Sequence, residues 1–359
     1  MNKSYLLTLQ PMEPYFFGNE KTFSFNPQKP EDNRYFIKSE RMPLQTTVLG
    51  AMRYLLMPVK NANYQYTPEE QNRNGAIVGE ESFRMGSQKQ SFGAIVQISP
   101  LFLVKDEKKY VRTPFDHQSQ VVDRYSPMET CPVGNDKRLY FPAYNAKEGI
   151  ADSYMNVDDG ALVSSEEIFR STVRVGVSKE KHDKAFFKKQ YMRLSENWSF
   201  GCYITLDVNA IAADGAAQAA LMELEAGTVA YLGQNKSAFV LRLQAEENDL
   251  KDKLQKLLRP EAVYCLGDAL VDGGIYDNCL LAVTMTRDYR AFRTVFKTSR
   301  ESGRVTGGIS KNPELYKLLA AGSVLFPDPE KKLDDYFRNP NCRVIGYNIT
   351  IPEWEDEAE

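Results

Sequence analysis

The chain has 359 residues, of which 42% are hydrophobic and 26% charged, and its formal net charge is -3 at pH 7. This composition is typical of a globular protein with one large domain or two of ordinary size. No segment has the roughly eighteen consecutive apolar residues of a membrane span, and the N-terminus lacks the apolar core of a signal peptide, so we expect a cytoplasmic protein without a membrane partner.

The first elements are predicted from apolar spacing. KSYLLTLQPM indicates a strand that ends near Pro11 and Pro14, since proline cannot donate to a sheet. TTVLGAMRYLLM has apolar residues at helical spacing and predicts a helix from Thr46 to Met57, capped by Thr46 or Thr47. Residues 60–90 are polar and irregular, and we expect a surface insertion with few core contacts.

Two hairpins are predicted further along. FRSTVRVGV alternates valines with Arg174, and KQYMRL resumes extended character after a charged tip, so residues 171–193 predict a protruding β-hairpin. GAAQAALMELEAG predicts a helix that ends at Gly227, and a second hairpin turns between Gly233 and Ser237. This order of strands and helices predicts an α+β, ferredoxin-like βαββαβ core with insertions at about 60–90 and 105–165.

The remaining sequence predicts a second, smaller domain of related class. A charged helix, EENDLKDKLQKLL, is followed by strands in NCLLAVTMTRDY and CRVIGYNIT, and the chain closes on the acidic segment PEWEDEAE. We therefore predict one domain over 1–245 and another over 246–359. Five widely spaced cysteines without a CxxC pair indicate neither disulfides nor zinc, and we expect no cofactor or metal.

The charge is unevenly distributed. Residues 170–193 contain eight Lys or Arg against two acids, and residues 287–311 contain seven against two, so the rest of the chain is strongly acidic. Two basic strips on an acidic body are expected of a protein that binds a polyanion along a defined path. The alternative is that both strips are solvated faces.

Several segments, in this order along the chain, resemble the RAMP superfamily. They are LQPMEPYFFGNEKTF, MPLQTTVLGAMRYLL, STVRVGVSKE with AFFKKQYMRL, TVAYLGQNKSAFVLRL, VTGGIS and LAAGSVLF. Within that superfamily the chain is most similar to the subunit of type III-B CRISPR Cmr effector complexes that binds the 5′ tag of the guide RNA (crRNA).

The resemblance implies a fold, a function and partners. The fold would be two ferredoxin-like (RRM-like) RAMP domains, with the hairpin 171–193 as a thumb. The function would be non-catalytic, in antiviral defence: the protein would bind and cap the 5′ tag of the crRNA. Its protein partners would be the large polymerase-like subunit and a backbone RAMP subunit of the Cmr complex, and it would meet target RNA indirectly.

The candidate RNA-binding residues are cations, glycine-turn residues, and aromatic residues placed among cations. RNA single strands are held by such groups. The candidates are Lys21, Arg53, Arg170, Arg174, Lys179, Lys181, His182, Lys188, Lys189, Tyr191, Arg193, Gln234, Lys236, Arg287, Tyr289, Arg290, Arg300, Arg304, Gly307, Gly308 and Lys311. Tyr191 and Tyr289 are the stacking candidates, Gly307 and Gly308 form either a phosphate-binding loop or an ordinary turn, and Arg53 is alternatively a solvated helix residue.

Two other functional hypotheses stay open. His182, at the hairpin tip, would be the general acid or base of a metal-independent RAMP endoribonuclease that processes precursor crRNA. No second histidine is near it in sequence, because His117 lies in the separate loop TPFDHQSQ. The other hypothesis is a scaffold that contacts only protein. The acidic pairs Asp158–Asp159 and Asp334–Asp335 fit turns or helix caps better than Mg²⁺ ligands.

Overall fold

The structure is a computed structural model. It describes residues 1–18, 36–61, 66–79, 82–86, 88–145, 147–177, 186–233, 235–290, 292–298, 305–311 and 314–352, with the backbone alone described for 177, 292–298 and 305–311. Sheets that are mostly antiparallel alternate with helices, so the predicted α+β class is confirmed. Within these ranges, no helix is long and apolar enough to cross a membrane.

The first part of the chain contains fourteen strands and five helices among the described residues. They are β1 (Asn2–Pro11), β2 (Phe36–Lys38), α1 (Gln45–Leu56), α2 (Pro68–Val78), β3 (Ile95–Ile98), β4 (Phe102–Lys105), β5 (Lys108–Arg112), β6 (Cys131–Pro132), β7 (Leu139–Tyr140), β8 (Ser153–Asn156), β9 (Leu162–Ser164), α3 (Ser165–Ile168), β10 (Phe169–Val177), β11 (Phe186–Leu194), β12 (Trp198–Asp207), α4 (Val208–Ala212), α5 (Gly215–Ala226), β13 (Thr228–Leu232) and β14 (Ser237–Ala245).

The second part has shorter elements. They are α6 (Leu250–Leu257), β15 (Val263–Cys265), β16 (Ala269–Leu270), β17 (Cys279–Val283), β18 (Thr286–Tyr289), β19 (Phe292–Thr298), β20 (Val305–Lys311), β21 (Tyr316–Leu319), β22 (Val324–Pro327), α7 (Pro340–Val344) and β23 (Thr350–Ile351), with 3₁₀ turns at Gly273–Asn278 and Asp334–Phe337.

The largest sheet has nine strands and is built around β1. Its strands lie in the order β13-β14-β1-β12-β4-β5-β8-β9, and β3 also pairs with β12. β1 is antiparallel to both β12 and β14. Tyr5, Leu7 and Leu9 are buried in the core on one face, and Leu6 packs into a second core on the other. The sequence of β1 is therefore continuously apolar at its centre.

Helices α1 and α5 pack into the same core as Leu7 and Leu9. α1 begins after Leu44, whose side chain makes no capping hydrogen bond, so the predicted cap at Thr46 or Thr47 is wrong. α5 is capped by Asp214, the residue before it, whose carboxylate accepts hydrogen bonds from two backbone N–H groups. It ends before Gly227, at φ 99°, as predicted.

The segment 60–90 is not a peripheral insertion. α2 starts with a capping box in which Thr67 and Glu70 exchange hydrogen bonds. Ile77, Phe83 and Met85 are buried in the main core. The expectation of few core contacts is wrong, because apolar residues that are scattered in a polar sequence converge here.

The second part of the chain contributes to the same cores. Its strands form sheets in the orders β17-β22-β15-β23 and β16-β21-β18, and β19 pairs with β20. Tyr289, Leu318 and Tyr347 are buried in the core that contains α1, and Tyr264 and Phe326 in the other. The predicted domain boundary falls at the end of β14 and stays a prediction.

A buried carboxylate joins the two parts. Asp116 is fully buried and accepts hydrogen bonds from the hydroxyls of Tyr125, at 2.9 Å, and Tyr264, at 3.1 Å. The Arg259 guanidinium lies 3.5 Å from the same carboxylate and donates to the Met128 carbonyl. Burial raises the pKa of Asp116, and the Tyr125 hydroxyl and Arg259 counteract that shift. This network holds the 114–128 loop against β15.

Asp116→Ala should lower the free energy of unfolding by about 3–5 kcal/mol, since the Arg259 guanidinium loses its buried counter-ion. Denaturant unfolding measures the change. Asp136→Ala removes an exposed carboxylate that pairs with Arg138 and should have a far smaller effect, because exposed ion pairs contribute little to stability. Equal losses of unfolding free energy in the two variants would show that the buried network around Asp116 stabilises the fold no more than an exposed ion pair does.

Candidate nucleic-acid interface

The hairpin predicted over 171–193 contains the paired strands β10 and β11. Their register places Arg170 opposite Arg193, Thr172 opposite Tyr191 and Arg174 opposite Lys189. Residues directly opposite each other in an antiparallel pair project from the same face of the sheet. These six residues, Arg170, Thr172, Arg174, Lys189, Tyr191 and Arg193, therefore share one side of the hairpin, which we call the basic face.

The root of the hairpin is fixed in the core. Phe169, Met192 and Leu194 are buried, and Tyr15 and Met192 exchange two backbone hydrogen bonds of 2.7 and 2.9 Å. β11 also pairs in parallel with β2. The register of β11 is thereby held on both sides, and so is the orientation of the basic face.

Two cations of this face, Arg174 and Lys189, lie against aromatic rings. The Arg174 guanidinium lies 4.8 Å from the centre of the Tyr191 ring, and the Lys189 Nζ lies 3.8 Å from the centre of the Phe16 ring. The Phe16 and Tyr191 rings meet edge to face, with centroids 5.7 Å apart. Such cation–ring contacts hold long side chains in place without neutralising them.

A tight turn between β13 and β14 completes the site. The Asn235 Nδ2 donates a hydrogen bond of 3.3 Å to the Tyr191 hydroxyl. Lys236 is exposed on the same turn at φ 53°, and Gly233 has φ 73°. The turn is joined to Phe16, whose backbone N–H donates to the Ser237 Oγ at 3.2 Å. Phe16, Arg174, Lys189, Tyr191 and Asn235 form one cluster, which we call the platform.

The cations here have no acidic partners among the described residues. None of Arg170, Arg174, Lys188, Lys189, Arg193 and Lys236 forms an ion pair in the part of the chain that the structure describes. Partial burial lowers the pKa of Lys189. Uncompensated cations next to aromatic rings favour a negatively charged ligand that also has flat apolar groups.

A carboxylate, that of Asp152, fixes the segment that leads into the root of the hairpin. Asp152 lies 2.7 Å from the Arg41 guanidinium and 2.6 Å from that of Arg112, and it accepts a hydrogen bond of 2.8 Å from Ser165. These donors lower its pKa to about 2, against the opposing effect of burial. Ser165 begins α3, which leads directly into β10, and Arg41 lies over the Phe169 ring.

Several other predicted site residues lie elsewhere. Arg53 is largely buried against Phe92, and burial lowers its pKa to about 10, so the alternative of a solvated helix residue is wrong. Arg287 lies 3.1 Å from Asp268 and 3.5 Å from Glu40, and these ion pairs tie β18 to the loop before α1. Arg290 is partly buried at the end of β18.

Tyr289 does not fit its predicted stacking role. Its ring is 2% exposed and packs edge to face with Tyr347 in the core. The pattern of aromatics among cations misled here, because Tyr289 is the one buried residue of β18, whose other three residues are exposed or partly exposed.

Gly307 and Gly308 are not in a turn. They lie within β20, opposite Phe296 and Val295, and Lys311 ends the same strand opposite Phe292. Lys188 belongs to the hairpin but projects from the side opposite the basic face. Seven candidates are outside the described residues: Lys21, Lys179, Lys181, His182, Gln234, Arg300 and Arg304.

His117 is engaged in structural hydrogen bonds. Its Nδ1 accepts the Ser126 backbone N–H at 3.0 Å, and its Nε2 donates to the Val121 carbonyl at 2.7 Å. Burial lowers its pKa. Within the described ranges, no three acidic, cysteine or histidine side chains are placed to hold a metal ion. Asp159 accepts the Ala161 N–H, as expected of a turn residue.

Sequence reasoning missed Phe16 and Asn235. Both are close in sequence to recognised features, the aromatic run YFFG and the turn GQNKS. Their role depends on contacts across 175 residues between Phe16 and Tyr191 and across 44 residues between Asn235 and Tyr191, which local patterns do not encode.

The fold and the platform together define an α+β protein with a basic, aromatic surface suited to a single-stranded nucleic acid. A family model described as CRISPR-associated protein (Cas_Cmr3) matches residues 7–351. The chain belongs to this family. A search of curated proteins finds no match to the sequence.

Three solved structures contain chains similar to this one. One is type III-B Cmr-beta bound to cognate target RNA, with 12% identity over 96% of this chain and 96% of that chain and a TM-score of 0.48. Another is a Csm3-Csm4 subcomplex of the type III-A interference complex, with 11% identity, coverages of 90% and 93%, and a TM-score of 0.38. A third is a Csm1-Csm4 cassette in complex with pppApA, with 10% identity, coverages of 91% and 88%, and a TM-score of 0.34.

Gly233→Ala should distort the platform. A Cβ at this position would lie 2.7 Å from the Phe16 carbonyl oxygen, and a left-handed φ costs a residue other than glycine about 1–2 kcal/mol. Gly50→Ala is the matched control, since its Cβ meets nothing within 4 Å and alanine favours the helix α1. Thermal unfolding should show a lower melting temperature for Gly233→Ala and an unchanged or higher one for Gly50→Ala. The opposite order would contradict the described turn.

Proposed function

We propose that the protein is a non-catalytic subunit of a type III-B CRISPR effector complex that binds and caps the 5′ tag of the crRNA. The observation that carries this proposal is the platform: Arg174 and Lys189 oppose each other across the hairpin, beside the Tyr191 and Phe16 rings and without acidic partners among the described residues. Membership of the Cmr3 family supports the assignment to a CRISPR complex.

The order of the central strands supports a ferredoxin-like domain in the first part of the chain. β14, β1, β12 and β3 lie side by side, each antiparallel to its neighbour. α1 follows β1, and α5 connects β12 to the β13–β14 hairpin. This is the order of a βαββαβ unit with insertions. A second RRM-like domain after residue 245 is part of the proposal.

The platform would hold RNA through two kinds of contact. Arg170, Arg174, Arg193 and Lys236 would bind successive phosphates, and their charge supplies affinity without reading sequence. An unstacked base would pack against the Tyr191 ring, whose orientation Asn235 fixes. Because Asn235 donates to the Tyr191 oxygen, the hydroxyl proton is left to donate to a phosphate or base.

The hairpin would then serve as a thumb at the boundary between tag and guide. In this role the protein joins the large polymerase-like subunit to a backbone RAMP subunit and meets target RNA only through the crRNA. The basic face holds the strand, and the tip, which lies outside the described residues, shields the neighbouring base. No metal or cofactor is required for this role.

Binding of tag RNA should weaken steeply with salt, because bound cations displace counterions from the strand. Arg174→Ala and Lys236→Ala should each reduce the slope of log K against log salt by about 0.7. Lys332→Ala, an exposed cation in the second part of the chain, is the control and should leave the slope unchanged. Filter binding at several salt concentrations measures the slopes. A wild-type slope near zero would refute the proposed interface.

Incubation of the purified protein with labelled repeat RNA in the absence of metal should leave the RNA intact. The proposed role is binding, and the two nitrogen atoms of His117 are already engaged by backbone groups. Discrete cleavage products that vanish in His182→Ala would replace the proposed function with an endoribonuclease. Cleavage that persists in that variant would indicate a contaminating nuclease.

A further inference from the structure

The other side of the same hairpin is apolar and exposed. Val173 and Val175 of β10, Phe186 of β11 and Phe36 of β2 are 50%, 65%, 62% and 48% exposed. The register places Val175, Lys188 and Phe36 side by side, and Val173 beside Gln190 and Lys38. These residues therefore project from the side opposite the basic face. We call Phe36, Val173, Val175 and Phe186 the apolar face.

The apolar face is a contiguous surface and not a set of scattered exposed residues. On the same side of the sheet, Phe169, Met192 and Leu194 are buried in the core at the root. The apolar pattern continues along the strands beyond the point at which the core ends. A strand that faces water normally alternates apolar and polar residues, and contiguous exposed apolar side chains mark an interaction site.

The charges on this side of the hairpin restrict the kind of molecule that can bind to the apolar face. Lys38 and Lys188 lie among the apolar residues, and the segments β2, β10 and β11 contain no Asp or Glu. A second copy docked through the same face would bring these lysines against their own equivalents, which disfavours self-association. Two of the four apolar side chains are valines, which offer no ring for a base to stack on. A protein surface with an apolar centre and carboxylates at its edge is complementary to this arrangement.

We propose that the hairpin has two functional sides: the basic face holds RNA, and the apolar face docks a neighbouring protein subunit whose surface is apolar with an acidic rim. The partner is sought in the effector complex, and to that extent the inference rests on the proposed function. One pair of strands would thereby couple the position of the RNA to the position of that subunit.

The test compares two variants, a double and a single one, whose substitutions conserve side-chain shape. Val173→Thr with Val175→Thr makes the apolar face polar while keeping β-branched residues in the strand. Thr172→Val is the matched control for assembly with other subunits, because Thr172 is exposed on the basic face and not on the apolar face. Thermal unfolding of the purified chains verifies folding, and exposed substitutions of this kind should barely shift the melting temperature.

Two measurements on the full chain, RNA binding and assembly with other subunits, distinguish the functions of the two faces. Tag RNA binding of the double variant should stay within about twofold of wild type, whereas its affinity for the other subunits encoded in the same CRISPR locus should fall about tenfold or more. Lys188→Glu should weaken assembly in the same way, and more strongly at low salt. Unchanged assembly of both variants would overturn the inference. Failure of the wild-type protein to bind tag RNA would instead contradict the proposed function.

A crosslinking experiment identifies the occupant directly and does not depend on variant stability. p-Benzoylphenylalanine in place of Val175 should crosslink, in the assembled complex, to a peptide of another subunit that contains Asp or Glu. In place of Thr172 it should crosslink to RNA. Crosslinks from position 175 to RNA, to a second copy of this chain, or to nothing while position 172 reacts would each overturn the proposal.

Discussion

The register between β10 and β11 is the constraint on which the functional surface depends. A shift by one residue would move every side chain of one strand to the opposite side and separate Arg174 from Lys189. The register is fixed at the root by buried Phe169 and Leu194 and by the two backbone hydrogen bonds between Tyr15 and Met192. The core thereby determines which side of the hairpin is basic, although the basic residues themselves lie outside it.

The chain has a net negative charge and yet a basic hairpin. Both are possible because several carboxylates pair with arginines elsewhere in the chain. Asp116 faces Arg259, Asp152 binds Arg41 and Arg112, and Asp268 lies against Arg287. These pairs join distant segments. Arg174 and Lys189 of the hairpin instead contact aromatic rings, which hold these side chains without removing their charge. A strand of phosphates would therefore meet charge that no described internal partner has neutralised.

Local patterns in the sequence predicted the elements better than the site. Alternation located the strands β10 and β11, which pair antiparallel, and Gly227 located the end of α5. The cations of 287–311 were misassigned in part, because nothing near Arg287 in sequence reveals that Asp268 and Glu40 enclose it. Phe16 was missed for the same reason, since its contact with Tyr191 exists only after the sheets have formed. A charge pattern alone does not distinguish a solvated cation from a paired one.

The most direct test of the central claim is to find where the crRNA tag lies on the chain. A guide RNA with 4-thiouridine at single positions of its 5′ tag can be assembled with the complex, irradiated, and the crosslinked residues identified by mass spectrometry. The platform predicts crosslinks to Tyr191 or Phe16 and to the turn at 233–236. Crosslinks confined to residues outside the hairpin and this turn, in a complex that still protects its guide, would contradict it.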